Sequence, residues 1–480
     1  MKKQAFNPYL PSYEYVPDGE PYVFGKRVYV YGSHDKFNGT YFCQNDYVCW
    51  SAPVDDLSNW NYEGVIYKKI QDPMGRTGNR LLFAPDVQQG TDGRYYLYYA
   101  FDFLGVMSVA VCDSPAGKYE FYGHVRYKDG TLLGDHEGDG FQYDPGVLVD
   151  DDGKVYLYSG FCPVNFPWKL RGVEEKTIKG GMVIELEADM ITVKEEPKYI
   201  FPFKLNGKGT SFEGHEFFEA SSMRKIGNTY YFVYSSFNGH ELCYATSKSP
   251  NSGFEYGGTI ISNGDIYLNG RTGDEALNYT GTNHGSIIEI NGKWYVFYQR
   301  QTNRNQFSRQ GCAEEIQIES DGSIKQVEMT SCGLNGGPLM GKGEYPAYIA
   351  CNLMSSTGAI RYEIGQEIDE SHPFFTQEGE DREDNPNQYI ANLTNEAIAG
   401  FKYFNIDNVS EIAVKVRGTG KGELYLSTTI GGEPVAQIPI FPAREWVIYK
   451  APVFINTGVN ALYFTFDGEG AIDLFSFNLE

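Results

Sequence analysis

The 480-residue chain lacks the features that define several large classes of protein. No stretch reaches the ~18 apolar residues of a membrane span, and the N-terminus has two lysines without the apolar run of a signal peptide behind them. The eight cysteines form no CxxC pair and no cysteine–histidine cluster with zinc spacing. GxSxG and Walker spacing are also missing. The sequence therefore argues against a membrane protein, a zinc module, a serine hydrolase and a P-loop enzyme.

Positive charge and tryptophan are both scarce. Lysine and arginine number 40 against 63 aspartates and glutamates, which gives a formal net charge of −23. Nucleic acid and anionic membranes are therefore poor partners, and a neutral ligand suits the chain better. Only 5 tryptophans accompany 38 tyrosines and 31 phenylalanines, residues that favour strands, and helical periodicity is almost absent. An all-β protein is indicated.

A glycine before an aromatic-rich strand recurs five times in the first 300 residues. The glycines are Gly25, Gly93, Gly153, Gly227 and Gly292, and they lie 60 to 74 residues apart. Each predicts a tight hairpin, because glycine tolerates the positive φ that such turns need. A period of this length suits a four-stranded sheet used as a unit. The pattern predicts a five-bladed β-propeller.

Hydrogen-bonding side chains occupy one equivalent position in all five repeats, seven to nine residues before each glycine. They are Asp18 in VPDGEPYVF, Asp86 in FAPDVQQG, Asp144 in QYDPGVLVD, Glu219 in FFEASSMRK and His284 in TNHGSIIEI. Because the innermost strands of a propeller line its channel, equivalent positions should converge at one mouth. Acids aimed at a core are costly unless they serve a purpose. We therefore expect a functional site there, although each acid alone could simply end a strand.

The repeat is lost from about residue 350. Alternating runs such as SEIAVKVRG, GELYLSTTIG and NALYFTFDG continue at intervals of roughly eight to twelve residues, which predicts an antiparallel β-sandwich of jelly-roll type. We expect a propeller domain over 1–340 and a sandwich domain over 350–480, joined by the Gly- and Pro-rich segment 333–348. Residues 369–388 should form an acidic surface loop.

The motifs PDGEPYVF, YGSHD, APDV, YDPGVLVDDDG, FFEASS, NHGSI and FSRQ follow one another within residues 6–332. In this order the chain resembles glycoside hydrolase family 43, whose members are five-bladed propellers that cleave arabinofuranosyl or xylosyl bonds with inversion. The resemblance implies that Asp18 is the general base, Glu219 the general acid, and Asp144 the residue that orients Glu219 and tunes its pKa. The segment after 350 resembles a family 6 carbohydrate-binding module, although its single tryptophan, Trp446, is expected to be buried.

Two carboxyls in opposite protonation states suit the implied chemistry. In inverting hydrolysis one protonates the leaving oxygen, and the other, roughly 6.5–9.5 Å away, deprotonates a water. A free glutamate has a pKa of about 4.3, so the pKa of Glu219 must be raised by burial and by an ionised Asp144. Asp18 should be surrounded by backbone N–H or hydroxyl donors. Because FFEASS stands where many relatives have Glu-Gly-Pro, Glu213 and Glu216 remain alternatives to Glu219.

Other polar residues are candidates for substrate contact. Asp86 either contacts substrate or makes a hydrogen bond at the entry of its strand. Arg309 in FSRQ either binds sugar hydroxyls or holds a carboxylate ionised, with a surface salt bridge as the alternative, and substrate contact by His34 has the same alternative. His284 either contacts substrate, binds a metal or is a buried hydrogen-bonded ring. The resemblance makes that metal calcium, although a single imidazole is an unusual ligand for Ca²⁺ unless water fills the rest of its shell.

The predicted substrate is a neutral oligosaccharide. Scattered, strand-borne cysteines and the lack of a leader suggest a cytoplasmic, reducing compartment, so we expect an exo-acting enzyme on imported fragments. Among family activities, α-L-arabinofuranosidase on arabinoxylan fragments ranks first and β-xylosidase second. A retaining propeller glycosidase or transglycosidase, with carboxyls ~5–5.5 Å apart, and a non-catalytic sugar-binding propeller remain the alternatives. The oligomeric state is not predicted.

Overall fold

The computed structural model describes residues 3–102, 104–164, 178–382 and 387–480. Over these ranges the regular structure consists of β-strands and short 3₁₀ turns, without an α-helix. The 3₁₀ turns are Lys69–Gln71, Pro73–Gly75, Asn263–Asp265, Leu268–Gly270, Gly273–Glu275, Gly333–Asn335 and Ala347–Ile349. Among the described residues no helix has the length and apolar character that crossing a membrane requires. The all-β prediction is confirmed.

Five antiparallel sheets follow one another along the first 316 residues, and each pairs its strands in chain order. Blade 1 contains β1 (Glu20–Phe24), β2 (Arg27–Tyr31), β3 (Tyr47–Pro53) and β4 (Asn61–Tyr67). Blade 2 contains β5 (Asp86–Gln89), β6 (Tyr95–Ala100), β7 (Met107–Cys112) and β8 (Glu120–His124). Blade 3 contains β9 (Gly146–Val149), β10 (Val155–Ser159), β11 (Gly181–Leu186) and β12 (Lys198–Phe201). Blade 4 contains β13 (Phe217–Ile226), β14 (Thr229–Ser236), β15 (Glu241–Ser247) and β16 (Glu255–Ser262), and blade 5 contains β17 (Ser286–Ile290), β18 (Lys293–Arg300) and β19 (Gln310–Ile316).

The first strand of each blade lies at the centre of the ring. Contacts join β1 to β17, β5 to β9, β9 to β13 and β13 to β17. A predicted glycine lies in the turn after each of these strands, as in the two-residue hairpin between β17 and β18, where Asn291 and Gly292 have φ of 52° and 80°. The turns therefore lie at one mouth of the channel. The starts of the first strands, which carry the polar residues, lie together at the other mouth.

The N-terminal segment closes the ring beside the three-stranded fifth blade. The Asn7 side chain donates to the carbonyl of Ala313 and accepts from its N–H, both at 2.9 Å, and the Tyr9 N–H reaches the Gly311 carbonyl at 3.4 Å. This segment takes the position that a fourth strand has in the other blades. The five-bladed propeller predicted from the repeat is confirmed.

The remaining chain forms a sandwich of two sheets. One sheet contains β20 (Leu339–Met340), β22 (Asn352–Met354), β25 (Ile398–Ile406), β27 (Lys421–Ser427), β28 (Ala436–Ile440) and β30 (Gly458–Glu469). The other contains β21 (Gly343–Pro346), β23 (Phe374–Gln377), β24 (Gln388–Leu393), β26 (Glu411–Gly418), β29 (Ala443–Pro452) and β31 (Ile472–Leu479). Their inner faces share one apolar core that includes Phe401, Leu462 and Phe477.

Two expectations for this domain need correction. The sandwich begins near Leu339 rather than at 350, because β20 and β21 pair with β25 and β31, so the segment 333–348 is only in part a linker. The prediction that Trp446 is buried is wrong. Its half-exposed ring lies with Tyr389 and Phe475 on an outer sheet face, and the Arg417 guanidinium stacks 4.2 Å from its centre. The likeness to a carbohydrate-binding module stays a prediction.

Buried polar contacts join the two domains. Arg300 of blade 5 donates to the Tyr348 carbonyl at 2.7 Å, and Lys402 of the sandwich forms a buried ion pair with Asp265 at 2.8 Å. Arg382 donates to Glu14 of the propeller. Separating the two domains would leave the charges of these buried ion pairs without partners, which is costly. These contacts therefore fix the sandwich against the propeller.

All eight cysteines are free, and seven of them are buried, the exception being the half-buried Cys112. Their placement in or beside strands, as small apolar side chains, agrees with the expectation from the sequence.

Candidate active site

A cavity opens at the mouth where the innermost strands begin, and its walls enclose about 600 Å³, open solvent included. Four of the five equivalent residues line it: Asp18, Asp144, Glu219 and His284. They reach one cavity because each lies at or near the start of a first strand in a different blade. Arg309, which follows β18 in blade 5, joins them.

Two of these acids are held in an unusual backbone conformation. Asp18 and Asp144 have φ of 56° and 42°, a left-handed region that non-glycine residues seldom adopt. The Asp18 N–H is fixed by the side chain of Gln299 at 2.8 Å, and the Asp144 carboxylate accepts from the N–H of Ala220 at 3.2 Å. Such conformations cost of order 1–3 kcal/mol and cluster at functional sites.

A guanidinium holds the Asp18 carboxylate. Arg309 Nη1 donates to Asp18 Oδ1 at 2.9 Å, while its Nε and Nη2 bond both oxygens of the fully buried Asp35 at 2.9 and 3.0 Å. The Arg309 guanidinium also lies over the Phe42 ring, with its Cζ 4.7 Å from the ring centroid. A charge-assisted bond of this kind is short and strong, and it fixes the orientation of the Asp18 carboxylate. The expected backbone or hydroxyl donors to this carboxylate are thus replaced by a cation.

Glu219 is the acid with a retained proton. Burial raises its pKa to about 8, the negative charge of Asp18 adds to the shift, and Arg309 opposes it. The alternatives do not line the cavity: Glu213 is exposed and accepts from the Gly209 N–H, and Glu216 lies beside Lys204. Glu219 is therefore placed to donate a proton at neutral pH.

Asp144 is coupled to Glu219. Burial raises the pKa of Asp144 well above its usual value, and the charges of Glu219 and Asp18 raise it further. At neutral pH the pair therefore keeps a proton that two free carboxyls would have lost. Asp144 is therefore not fully ionised, contrary to what the sequence led us to expect, but shares a proton with Glu219. Its place beside Glu219 and its bond to the Ala220 N–H suit a residue that orients Glu219.

His284 lies between two of the acids. Its Nδ1 is 3.6 Å from both Asp18 Oδ1 and Asp144 Oδ2. Burial lowers the pKa of the imidazole to about 4, although Asp18 opposes the shift, so the ring is neutral near pH 7. The next residue must be a glycine, since a Cβ at Gly285 would lie 1.9 Å from the Phe297 carbonyl oxygen.

The residues around His284 do not form a calcium cage. Ca²⁺ takes 6–8 oxygen ligands, whereas His284 offers one nitrogen, and the nearest carboxylate oxygens already bond Arg309 and Ala220. Among the described residues, the groups of three potential ligand side chains lie elsewhere, at His215, Glu241 and Cys243 and at His136, Asp139 and Glu196. A cation at His284 would need water for most of its shell.

Asp86 lies one layer below the cavity, and its assignment to substrate contact is corrected. Its carboxylate is fully buried and accepts from the Tyr22 hydroxyl and from the N–H groups of Val87 and Val147 at 2.6–2.8 Å. It is the first residue of β5, whereas Asp18 and Asp144 precede their strands by two residues. The repeat phase alone could not resolve this offset of one layer.

A buried arginine lies in the same layer as Asp86, below the cavity. Arg224 on β13 crosses the axis to Glu20 at 2.8 Å and to the Ile287 carbonyl at 3.1 Å, and it stacks 4.4 Å from the centre of the Tyr22 ring. Burial raises the pKa of Glu20 to about 8, although Arg224 opposes the shift. These buried side chains form a floor beneath the cavity.

His34 also lies outside the cavity, which corrects its assignment to substrate binding. Its ring contacts the Asp46 carbonyl at 2.9 Å and Glu14 at 3.0 Å, and Arg382 of the sandwich lies 3.0 Å from Nε2. His34 belongs to the domain interface. Its neighbour Asp35 turns the other way and holds Arg309, because successive residues of an extended segment point to opposite sides.

Six aromatic side chains line the cavity, and they were not predicted. The set consists of Tyr41, Phe42, Phe83, Tyr143, Phe161 and Phe218, with Thr282 and Ile364 beside them. Five of the aromatic residues come from loops of blades 1 to 3, and Phe218 lies on β13 of blade 4. Thr282 precedes β17 of blade 5, and Ile364 lies in the segment after β22. Periodicity could not find them because tyrosine and phenylalanine are abundant throughout the strands.

A blind, aromatic-walled cavity at the centre of a propeller, with a proton-bearing glutamic acid and an arginine-bound aspartate, defines a glycoside-cleaving enzyme of the two-carboxyl type. Residues 14–324 match the model of glycosyl hydrolases family 43. The chain is also 54% identical to a xylosidase/arabinosidase of Thermoclostridium stercorarium, over all of this chain and 99% of that protein. The chain belongs to glycosyl hydrolase family 43, as the sequence motifs indicated.

More distant relatives agree in fold. A xylosidase/arabinosidase of Bacteroides ovatus is 29% identical over 67% of this chain and 97% of its own length. The structure of an arabinoxylan arabinofuranohydrolase from Bacillus subtilis, in complex with cellotetraose, covers 98% of this chain and 97% of its own with a TM-score of 0.51 and 21% identity, which shows the shared fold. A compost-metagenome β-xylosidase/α-arabinofuranosidase, solved with xylotriose in a calcium-free form, covers 66% of this chain and 96% of its own with 28% identity and a TM-score of 0.51.

The coupled acids predict a specific pH dependence. The proton donor must be protonated, so kcat/KM should fall as pH rises through the pKa of Glu219, about 8. Asp144→Asn removes one carboxyl of the coupled pair, so the rate should fall and the basic limb of the profile should move. The measurement is a pH–kcat/KM profile of both proteins. An unmoved limb in the variant would remove Asp144 from the tuning role.

Proposed function

We propose that the protein is an exo-acting, inverting glycosidase that removes single pentose residues from arabinoxylan-derived oligosaccharides. The observation that carries the proposal is the blind cavity in which the protonated Glu219 and the arginine-bound Asp18 face one space. The side walls of the cavity, to which blade residues and Ile364 contribute, favour binding of a chain end or branch over internal cleavage, which would need an open groove. The family membership and the names of the relatives support pentosides as substrates.

The mechanism follows from the two protonation states. Glu219 gives its proton to the glycosidic oxygen, and the C–O bond breaks as that oxygen leaves. Asp18 takes a proton from water on the opposite face, and the water oxygen bonds to the anomeric carbon with inversion. Arg309 orients the Asp18 carboxylate through its bond to Oδ1, while the aromatic walls exclude bulk water and strengthen these electrostatic interactions. Proton exchange with solvent then restores both acids.

The substrate assignment puts α-L-arabinofuranosides first and β-xylosides second. A screen of 4-nitrophenyl α-L-arabinofuranoside against 4-nitrophenyl β-xyloside, with the first-formed anomer followed by NMR, tests both parts of the proposal. We expect turnover of both substrates and an inverted product. A retained anomer would replace the mechanism with that of a retaining glycosidase, and absence of turnover on either pentoside would overturn the proposed function.

Calcium at His284 remains part of the proposal only as an ion held by one imidazole and by water. Metal analysis of the purified protein checks it, with His284→Gln as the comparison. Roughly one calcium per chain that is lost in the variant would support the site, and a calcium-free active enzyme would remove it. None of the proton transfers above depends on this ion.

A reducing, cytoplasmic location is the companion proposal. The eight free cysteines support it, since no pair of them is bridged. Mass spectrometry of the protein, alkylated during isolation and again after unfolding without a reductant, should find all eight cysteines labelled. Any disulfide would contradict the proposal.

A further inference from the structure

One wall of the active-site cavity comes from the second domain. The segment 355–373, between β22 and β23 of the sandwich, crosses the mouth of the propeller and places Ile364 in the cavity wall. Ile364 is 39% exposed, so its side chain faces the opening rather than a packed core. The other residues that line the cavity belong to the propeller, so Ile364 is the contribution of the sandwich domain.

The segment is fixed on both sides of Ile364. On one side, Arg361 forms a parallel bridge with Thr280: the Thr280 N–H donates to the Ile360 carbonyl at 3.1 Å, and the Tyr362 N–H donates to the Thr280 carbonyl at 2.7 Å. On the other side, the Ile368 N–H donates to the Arg304 carbonyl at 2.8 Å. Ile364 is therefore held in place by backbone bonds of the segment to the propeller.

These anchors locate Ile364 relative to the reacting groups. Thr280 leads into β17 of blade 5, and the carbonyl of Asn238, which Arg361 contacts at 3.3 Å, follows β14 of blade 4. The segment thus borders the mouth between blades 4 and 5, and Glu219 belongs to blade 4. Since a general acid stands beside the leaving oxygen, the leaving group lies on this side of the cavity.

We infer that Ile364 is a specificity-determining residue that the sandwich domain contributes to the active site, where it packs against the apolar face of the leaving-group sugar. The inference rests on the proposed function and adds the recognition of the leaving group to it. An aliphatic side chain at the rim suits the C–H face of a sugar ring, which loses hydration on contact. Through Ile364 the sandwich domain would influence which substrates are cleaved, without having a sugar-binding site of its own.

The test compares Ile364→Ala with Ile430→Ala, a matched control in the same domain that is 40% exposed and lies outside the cavity. For a pentosyl disaccharide or trisaccharide that the wild type cleaves, Ile364→Ala should lower kcat/KM by about 10-fold, the low end of the effect of lost apolar contacts. Inhibition by the free pentose, which occupies only the other half of the site, should change by less than about twofold. Ile364→Leu should recover most of the loss.

Each other outcome has a defined meaning. Equal losses for the oligosaccharide and for pentose inhibition would overturn the assignment to the leaving group, and an Ile364→Ala variant as active as Ile430→Ala would overturn the inference altogether. Equal thermal stability of the two variants is required, since a half-exposed side chain should not carry the fold. If the wild type cleaves no pentoside, the proposed function itself fails, which is a different result from a selective effect of Ile364.

Discussion

Replacing Glu219 with glutamine should lower kcat/KM for a pentosyl disaccharide by about 10³- to 10⁴-fold, because a sugar leaving group needs the proton that the proposed mechanism assigns to this residue. The glutamine keeps the shape of the side chain but cannot donate an acidic proton. A 2,4-dinitrophenyl pentoside has a leaving group that departs without protonation. Turnover of that substrate should therefore fall far less, and the basic limb of the pH profile near 8 should disappear.

Glu216→Gln is the matched control, since Glu216 is a buried glutamate three residues away that does not line the cavity. Its kinetics should stay within about twofold of the wild type. Loss of activity in Glu216→Gln with little loss in Glu219→Gln would exchange the roles of the two residues. Asp18→Asn completes the comparison. It should lose the dinitrophenyl substrate as well, because the water has no base, and survival of that activity would remove Asp18 from the mechanism.

Replacing Arg309 with glutamine should destabilise the protein by about 3–5 kcal/mol, because the buried carboxylate of Asp35 loses its charged partner. The same change removes the cation beside Asp18 and should reduce turnover strongly. Urea unfolding gives the free energy of unfolding, and kcat/KM gives the activity. Arg94→Gln is the control: this arginine pairs with Asp92 at 2.8 Å on the surface, where the loss should stay below about 1 kcal/mol.

A double variant separates stability from function at Arg309. In Arg309→Leu with Asp35→Leu both members of this buried pair are replaced by apolar side chains, so part of the lost stability should return. The remainder should stay lost, because Asp18 and the N–H groups of Cys43 and Arg309 still lack their partners. Activity should stay low, because Asp18 still lacks its cation. Recovery of activity together with stability would mean that Arg309 serves only the fold.

The sequence predicted the ring of five blades well because its determinants are local. Each hairpin glycine, such as Gly292 after Asn291, encodes a turn by its own backbone freedom. The repeat spacing then fixes how many turns there are. The same phase brought Asp18, Asp144, Glu219 and His284 to one mouth, since residues at equal positions of equivalent strands must converge.

The errors came from side-chain direction, which repeat phase does not specify. Asp86 and His34 have suitable positions along the chain, yet one lies a layer too deep and the other faces the sandwich. The domain boundary was placed too late because β20 and β21 are short, and their pairing with β25 and β31 spans more than 60 residues of sequence.

By itself, the sequence determined the propeller, the sandwich and the acids that meet at the channel mouth, because turns, alternation and repeat phase act over a few residues. Only the tertiary structure decided the protonation states and the cavity walls. The pKa of Glu219 depends on burial by distant elements, the ion pair of Arg309 with Asp18 joins residues 291 positions apart, and Ile364 enters from another domain. Burial and long-range charge are properties of the packed chain, and no local pattern carries them.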